Sequence, residues 1–330
     1  MTAELEQLAR TALGAYELGD RATLRTLEIG LNAVFEVRAG SARYVLRVHR
    51  AGYRTPAHVW SELTFLRAVG DDPEVPVPIE TRNGGLFVEV ADADGQRHSC
   101  DLQTWLDGRV LVPGHGLGVA GVHSLGQGLG RIHNAAEGFS PPPGFELPVW
   151  DADGMFTTEA SPFRPTLGID DVLGPEDRDL YDEVADRTRA VFEKLGRGAD
   201  AFGITHQDYI LGNCFLRRGH GGWQVASFDF ADCGWGFFLY DLCPLLGNLA
   251  GYPGAIFGNP AYPKLRDAFL AGYRTVRPLA VEWEQHVPLL IAARQTEHCL
   301  LTARPDVSPT PAQDAAWRVS LARLSLELPV

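Results

Sequence analysis

The run His206-Gln207-Asp208-Tyr209-Ile210-Leu211-Gly212-Asn213 is followed by two short runs, Cys214–Arg217 and Trp223–Phe228, and then by Asp229-Phe230. The glycine-rich segment Gly219–Gly222 between the two runs marks a β-hairpin. Antiparallel pairing brings the two ends of a hairpin together. Asn213, just before the first strand, is therefore expected beside Asp229, at the end of the second. One amide and one carboxylate, both hard oxygen donors, suit Mg²⁺, which takes a few protein oxygens and completes its shell with substrate phosphates. Asp208 lies a short loop upstream, placed to orient an attacking hydroxyl and accept its proton. Taken singly, an HxD is an ordinary Asx turn and a strand-end Asp an ordinary cap. The joint pattern of HxDxxxxN, hairpin and Asp-Phe is what carries the chemistry.

Working outward, the second half reads as helical apart from that hairpin. Val119, Val122, Leu125, Leu129 and Ile132 mark one helix and Leu180, Val184 and Val191 another. Further helices are expected near Tyr240–Leu249, Lys264–Tyr273 and Val287–Thr302, and Ser140–Pro148 is a Pro/Gly-rich break. The first half differs. A helix over residues 1–20 precedes three strands near Leu27–Ile29, Val34–Arg38 and Arg43–His49. Then come a helix over Pro56–Val69 and two strands, Leu86–Val90 and Arg97–Leu102. That order gives an α+β lobe on an antiparallel sheet. The boundary falls at Asp107-Gly108, so residues 1–107 form an N-terminal lobe with a leading helix and 108–330 a mainly helical C-terminal lobe.

The segments THQDYILGNCFL (205–216) and VASFDFADCGWGFFLYDL (225–242) resemble the phosphotransferase superfamily of aminoglycoside phosphotransferases, choline kinases and type II homoserine kinases. The resemblance is specific over 205–242 and looser across roughly 24–300. It implies a protein-kinase-like two-lobed fold and ATP- and Mg²⁺-dependent transfer of phosphate to a hydroxyl. It also implies Asp208 as catalytic base and Asn213 and Asp229 as metal ligands. Tyr240-Asp241-Leu242 resembles a recurrent family feature on the next helix, and Asp241 is taken as supporting. His206 is expected to brace the catalytic loop. Asp232 could support the metal or cap the surface. His133 is read as structural, and Cys233 and Cys243 as small core residues.

In the N-terminal lobe, alternation puts Val45 and Arg47 on one strand face. The family strand supplies a lysine to the ATP phosphates; here Arg47 holds that place, with charge and a planar fork. Glu62, one turn after Val59 and one before Leu66, is its expected partner. Gly30-Leu31-Asn32-Ala33-Val34 lacks GxGxxG, but backbone amides near Asn32 can still cover phosphates. Val34 and Val45 are expected to sandwich adenine. The stretch Leu102–Gly108 resembles the interlobe hinge, with backbone groups of Gln103, Thr104 and Leu106 on the base; Trp105 serves equally as core packing.

The chain has 330 residues, a formal net charge of −13 and five cysteines without a CxxC pair. The acidic balance argues against a nucleic-acid partner, and the cysteines against a zinc site or disulfide framework. Neither a membrane span nor a secretory start is present in the sequence, so a cytoplasmic location is expected. The acceptor is expected to be a small molecule, an amino alcohol, amino sugar or homoserine-like compound. It would bind beyond Asp229, where Trp235, Phe237, Phe238, Asp241, Tyr252 and Glu297 occur. A Ser/Thr protein kinase of the same fold is an alternative, but the segment from Asp229 to Tyr240 is short for a docking loop. A nucleotide-binding pseudokinase sensor or scaffold is another, favoured by Arg47 and opposed by the intact trio.

Overall fold

A computed structural model describes residues 2–18, 22–70, 73–112, 117–219, 222–251 and 258–329. The chain divides into two compact units, Met1–Asp107 with Ser140–Leu147, and Gly108–Phe139 with Pro148–Val330. Ser140–Leu147 is tied into the first unit by the Glu146 N–H, which donates to Ser61 Oγ at 2.7 Å.

The first unit contains α1 (Thr2–Leu13), β1 (Thr23–Ile29), β2 (Asn32–Ala39), β3 (Ala42–His49), α2 (Pro56–Val69), β4 (Phe87–Ala91) and β5 (Arg97–Thr104). Its antiparallel sheet has the order β1-β2-β3-β5-β4. Phe35, Val37, Leu46, Val48, Cys100 and Leu102 share one face and pack with Leu8, Ala9, Ala12 and Tyr16. The helix expected over residues 1–20 stops at Leu13. Short i→i+3 bonds at Gly14, Ala15 and Tyr16 close it and let Tyr16 turn in, where its hydroxyl donates to Cys100 O at 3.3 Å. α2 has the bounds its sequence signals give. Thr55 caps it by accepting from the His58 N–H, Pro56 fits the first turn, and Gly70 at φ 84° ends it.

The second unit contains α3 (Val119–Gly138), β6 (Val149–Trp150), α4 (Ala152–Phe156), α5 (Ile169–Val172), α6 (Pro175–Leu195) and β7 (Phe202–Thr205). The hairpin β8 (Cys214–Gly219) and β9 (Gly222–Ser227) follows, then β10 (Gly234–Phe237) and five helices: α7 (Phe238–Asp241), α8 (Cys243–Ala250), α9 (Tyr262–Arg274), α10 (Val287–Thr302) and α11 (Pro311–Ser325). The hairpin was expected to stand alone among helices. Instead β6, β10 and β7 form a second small sheet, with β10 in the middle. Two to four residues each, with glycine in two of the three, give too little alternation to be read as strands. α11 was also not anticipated. α3 and α9 cross closely at glycines: a Cβ on Gly272 would lie 1.9 Å from His123 O, and one on Gly126 would lie 2.0 Å from Phe269 O.

Candidate active site

β7 ends at Thr205, and the chain then turns sharply through Gln207, which has a positive φ of 67°. The turn is held from below by Asp241. Its buried carboxylate accepts the His206 N–H at 2.8 Å, the Gln207 N–H at 2.7 Å and His133 Nε2 at 2.9 Å. Burial alone would raise the Asp241 carboxyl, but these partners outweigh it and hold it below the usual carboxylate range. Burial pushes His133 below its ordinary value, so the ring is neutral near pH 7: Nε2–H donates to Asp241 and Nδ1 accepts from the Tyr273 hydroxyl at 2.8 Å. His133 is thus structural.

His206 links the two loops that carry the expected chemistry. Its Nε2 lies 3.0 Å from Ser227 Oγ and 3.1 Å from Phe228 O, and its ring packs on Phe230 at 4.1 Å between centroids. The strand ladder ends at Cys214↔Ser227, and one step further the Phe228 N–H donates to Asn213 O at 3.0 Å. The hairpin ends therefore bring Asn213 next to the Phe228-Asp229 step. Residues 220–221 of its turn lie outside the described residues. Asp229 is exposed at φ 62°, a left-handed conformation that non-glycine residues seldom adopt and that occurs preferentially at functional sites.

Asn213 ends a 3₁₀ turn, Leu211–Asn213, anchored by the Leu211 N–H donating to Asn248 Oδ1 at 3.0 Å. Asn213 Nδ2 donates to Asp208 O at 3.0 Å and Asp208 Oδ2 at 2.8 Å. Both partners only accept, so the amide must present nitrogen to Asp208. Its oxygen is the end left for a cation. An amide oxygen and an exposed carboxylate at the two ends of one hairpin fit Mg²⁺, which needs few protein ligands. Among the described residues no group of three or more His, Cys, Asp or Glu side chains is arranged to hold a metal ion. Asp232 accepts Trp150 Nε1 on its main-chain oxygen at 2.9 Å.

The other oxygen of Asp208 has a partner that the sequence did not announce. Arg294 of α10 donates from Nη2 to Asp208 Oδ1 at 2.6 Å and from Nη1 to the fully buried Glu297 at 2.6 Å. An Arg and a Glu three apart, following the apolar run Val287–Ala293, were the available sign. Several residues expected around an acceptor are core instead. Phe237 stacks on Phe192 at 4.0 Å, Phe238 lies on His133 at 4.4 Å, Asp241 is consumed by the loop, and Glu297 is taken by Arg294. Trp235 is half-buried on β10, and Tyr252 lies outside the described residues. Cys233 and Cys243 are buried.

In the first unit, register puts Val34 opposite Arg47, Val45 opposite Gln103 and Arg47 opposite Asp101, so these side chains share the face away from α1. Val34 and Val45 are half-buried there. Arg47 Nη1 donates to Glu62 at 2.7 Å, and Nε lies 3.1 Å from Asp101. His49 Nε2 in turn meets Asp101 at 2.7 Å. Burial opposes the charge on Arg47, but Asp101 and Glu62 outweigh it and raise its pKa. Arg47 Nη2 is buried and has no partner among the described residues. Asp101 and His49 were missed, although a lone Asp inside the run Arg97–Thr104 was a visible anomaly.

The hinge expectation narrows at two amides. The Thr104 N–H donates to Val77 O at 2.9 Å. Successive strand residues aim their N–H groups oppositely, so that of Gln103 points at β3. Neither amide is left for a base; Trp105 and Leu106, past the strand end, remain. Trp105 is half-buried, with the Arg43 guanidinium 3.8 Å above its ring. Near Asn32, the Gly30 N–H is taken by Asn32 O at 2.9 Å, which removes one of the amides expected on phosphate.

The profile described as phosphotransferase enzyme family matches residues 23–286. An uncharacterized protein of Deinococcus radiodurans is 32% identical over 276 residues, 82% of this chain and 74% of that one. Among solved structures, a microcompartment-associated aminopropanol kinase superposes with a TM-score of 0.75 at 25% identity, covering 97% of this chain and 95% of its own. An amicoumacin kinase in complex with AMP-PNP, Ca²⁺ and Ami gives 0.78 at 20% identity, covering 98% and 94%. The fold is thus the two-lobed, protein-kinase-like α+β fold of these enzymes.

Proposed function

This chain belongs to the phosphotransferase enzyme family, and from that premise we propose that it transfers the γ-phosphoryl group of ATP to a hydroxyl of a small molecule, with Mg²⁺. The observation that carries the reading is the tie between Asn213 Nδ2 and Asp208, at the mouth of a hairpin whose other end is Asp229. One loop holds a carboxylate base and a metal-facing amide together, and the hairpin returns the metal-binding carboxylate of Asp229 to the same point.

Asp208 orients the acceptor hydroxyl and takes its proton as the bond to phosphorus forms. Asn213 Oδ1 and Asp229 would hold Mg²⁺, which supplies charge neutralisation on the phosphates when bound. His206 and Asp241 fix the spacing of these groups through the backbone of the loop. In the first unit, Arg47 Nη2 is a buried, charged donor suited to a phosphate oxygen, with Glu62 setting its direction. Val34, Val45, Trp105 and Leu106 are assigned to the base. No helix among the described residues is long and apolar enough to cross a membrane. ATP as donor is in keeping with reaction in the cytoplasm.

The similarity to an aminopropanol kinase makes an amino alcohol the first acceptor to test. ADP release should be measured with Mg·ATP and, in parallel, aminopropanol, other amino alcohols, aminoglycosides, homoserine and a model protein. Turnover with one of the small molecules supports the proposal. Turnover with the protein alone would favour a protein kinase. Tight Mg·ATP binding without ADP release in any arm would favour a sensor.

A further inference from the structure

We infer that Arg294 is the positioning residue of Asp208: it fixes the carboxylate that meets the acceptor, and Glu297 fixes Arg294 in turn. The inference rests on the reading of Asp208 as the base. Arg294 and Glu297 stand three residues apart on α10, whose neighbouring side chains include Leu289, Leu290, Ile291, Ala292 and Ala293. Arg294 is 5% exposed and Glu297 not at all. A buried Arg–Glu pair is a poor way to stabilise a helix, because desolvation of the two charges offsets their attraction and apolar side chains of similar volume would serve as well. What the pair does achieve is direction. The guanidinium fork makes one bond along α10 to Glu297 and a second, 2.6 Å, to Asp208 Oδ1. A lysine ammonium, with three rotatable donors on a flexible stem, sets neither direction by its own geometry.

The consequence lies at Asp208. Asn213 Nδ2 holds Oδ2 at 2.8 Å, and Arg294 Nη2 holds Oδ1. The carboxylate is thus gripped at both oxygens, from the Leu211–Asn213 turn and from α10, and its plane is fixed. Each oxygen keeps a further lone pair, so an acceptor hydroxyl can still bond, but only along directions that these two donors leave open. Losing the Arg294 bond frees the carboxylate to rotate while leaving its bond to Asn213 in place. That change reaches the base without passing through Asn213 or Asp229.

The test uses the full chain. Arg294→Met alone would strand the buried Glu297, so it is paired with Glu297→Leu, which refills the site with apolar volume; Arg294→Lys is the conservative variant. Each is made with Asp208 intact and with Asp208→Asn. Turnover is read as ADP release with aminopropanol, with homoserine, and with Mg·ATP alone, where water is the acceptor; Mg·ATP affinity is read by calorimetry. With Asp208 intact, the apolar pair should lose about 10²-fold in kcat, the scale of a small misplacement of a catalytic group, with Mg·ATP affinity unchanged within about threefold and Arg294→Lys intermediate. In the Asp208→Asn background the same substitutions should cost nothing further, because residues that act as a unit are non-additive. An equal loss in both backgrounds, a matching loss of Mg·ATP affinity, or wild-type kcat in the apolar pair overturns the inference. A wild-type enzyme that releases no ADP with any acceptor or with water defeats the base assignment of Asp208 itself; wild-type turnover with an unaffected apolar pair defeats Arg294 alone.

Discussion

Arg47→Lys keeps a charge and loses a geometry. In the wild type, Nε meets Asp101 at 3.1 Å and Nη1 meets Glu62 at 2.7 Å, while Nη2 stays open. A single ammonium lacks the planar fork that meets both carboxylates at these distances. The variant therefore loses one buried charge-assisted hydrogen bond, about 1.5–3 kcal/mol of stability. The phosphate contact should weaken as well, because the ammonium is drawn to Glu62 or Asp101; Mg·ATP affinity should fall about 10-fold or more, or 1.4 kcal/mol per tenfold step. Burial alone would raise the Asp101 carboxyl, but Arg47 and His49 hold it below its ordinary value. A depressed carboxyl contributes stability that is present above its unfolded pKa, about 3.9, and is lost as pH falls through the folded value. In Arg47→Lys that acid loss should begin at higher pH. Urea unfolding across pH 3–7 and Mg·ATP calorimetry measure both arms. Adding Asp101→Asn to Arg47→Lys should recover part of that stability, since it leaves one buried carboxylate for one ammonium. A wild-type urea midpoint together with wild-type affinity in Arg47→Lys would refute the reasoning.

Asp208→Asn should lower kcat by roughly 10²–10⁴-fold with little change in Mg·ATP affinity; equal turnover in both proteins would remove Asp208 from the mechanism. Asp229→Ala should abolish turnover and weaken Mg²⁺-dependent nucleotide binding with the circular dichroism spectrum unchanged, and an unaltered Mg·ATP titration would move the metal site elsewhere. His298 is half-buried on α10, and its desolvation first, then Arg294, drives its pKa well below the ordinary histidine value. The native state resists its protonation while the unfolded chain accepts it from about pH 6.5 downward, so stability should fall below that pH. His298→Leu should flatten the slope of urea midpoint against pH between 7 and 5; an unchanged slope would assign the acid loss to other groups.

The grouping of Asp208, Asn213 and Asp229 was legible in the sequence because it is local. Asp208 and Asn213 lie on one loop, and a hairpin of near-fixed length returns Asp229 to its start, so chain geometry over some twenty residues does the placing. The helix near Pro56–Val69 was legible from the helical spacing of Val59, Leu63 and Leu66, and Thr55, Pro56 and Gly70 act on the backbone at its ends. Arg47 and Glu62 were legible because strand and helix periodicity says which way each side chain faces and the family resemblance supplied the logic of their pairing.

What tertiary structure decided is whatever depends on partners far along the chain. Phe237, Phe238 and Asp241 looked available to an acceptor by composition, yet packing against Phe192 and His133 and hydrogen bonds from residues 206–207 put them in the core. The amides of Gln103 and Thr104 looked available until the sheet register and Val77 claimed them. Asp101 on Arg47 and Arg294 on Asp208 join residues 54 and 86 positions apart. No period or motif encodes such a pairing. It exists because burying a charge requires an opposite charge within hydrogen-bond reach, and only the folded chain determines which one is there.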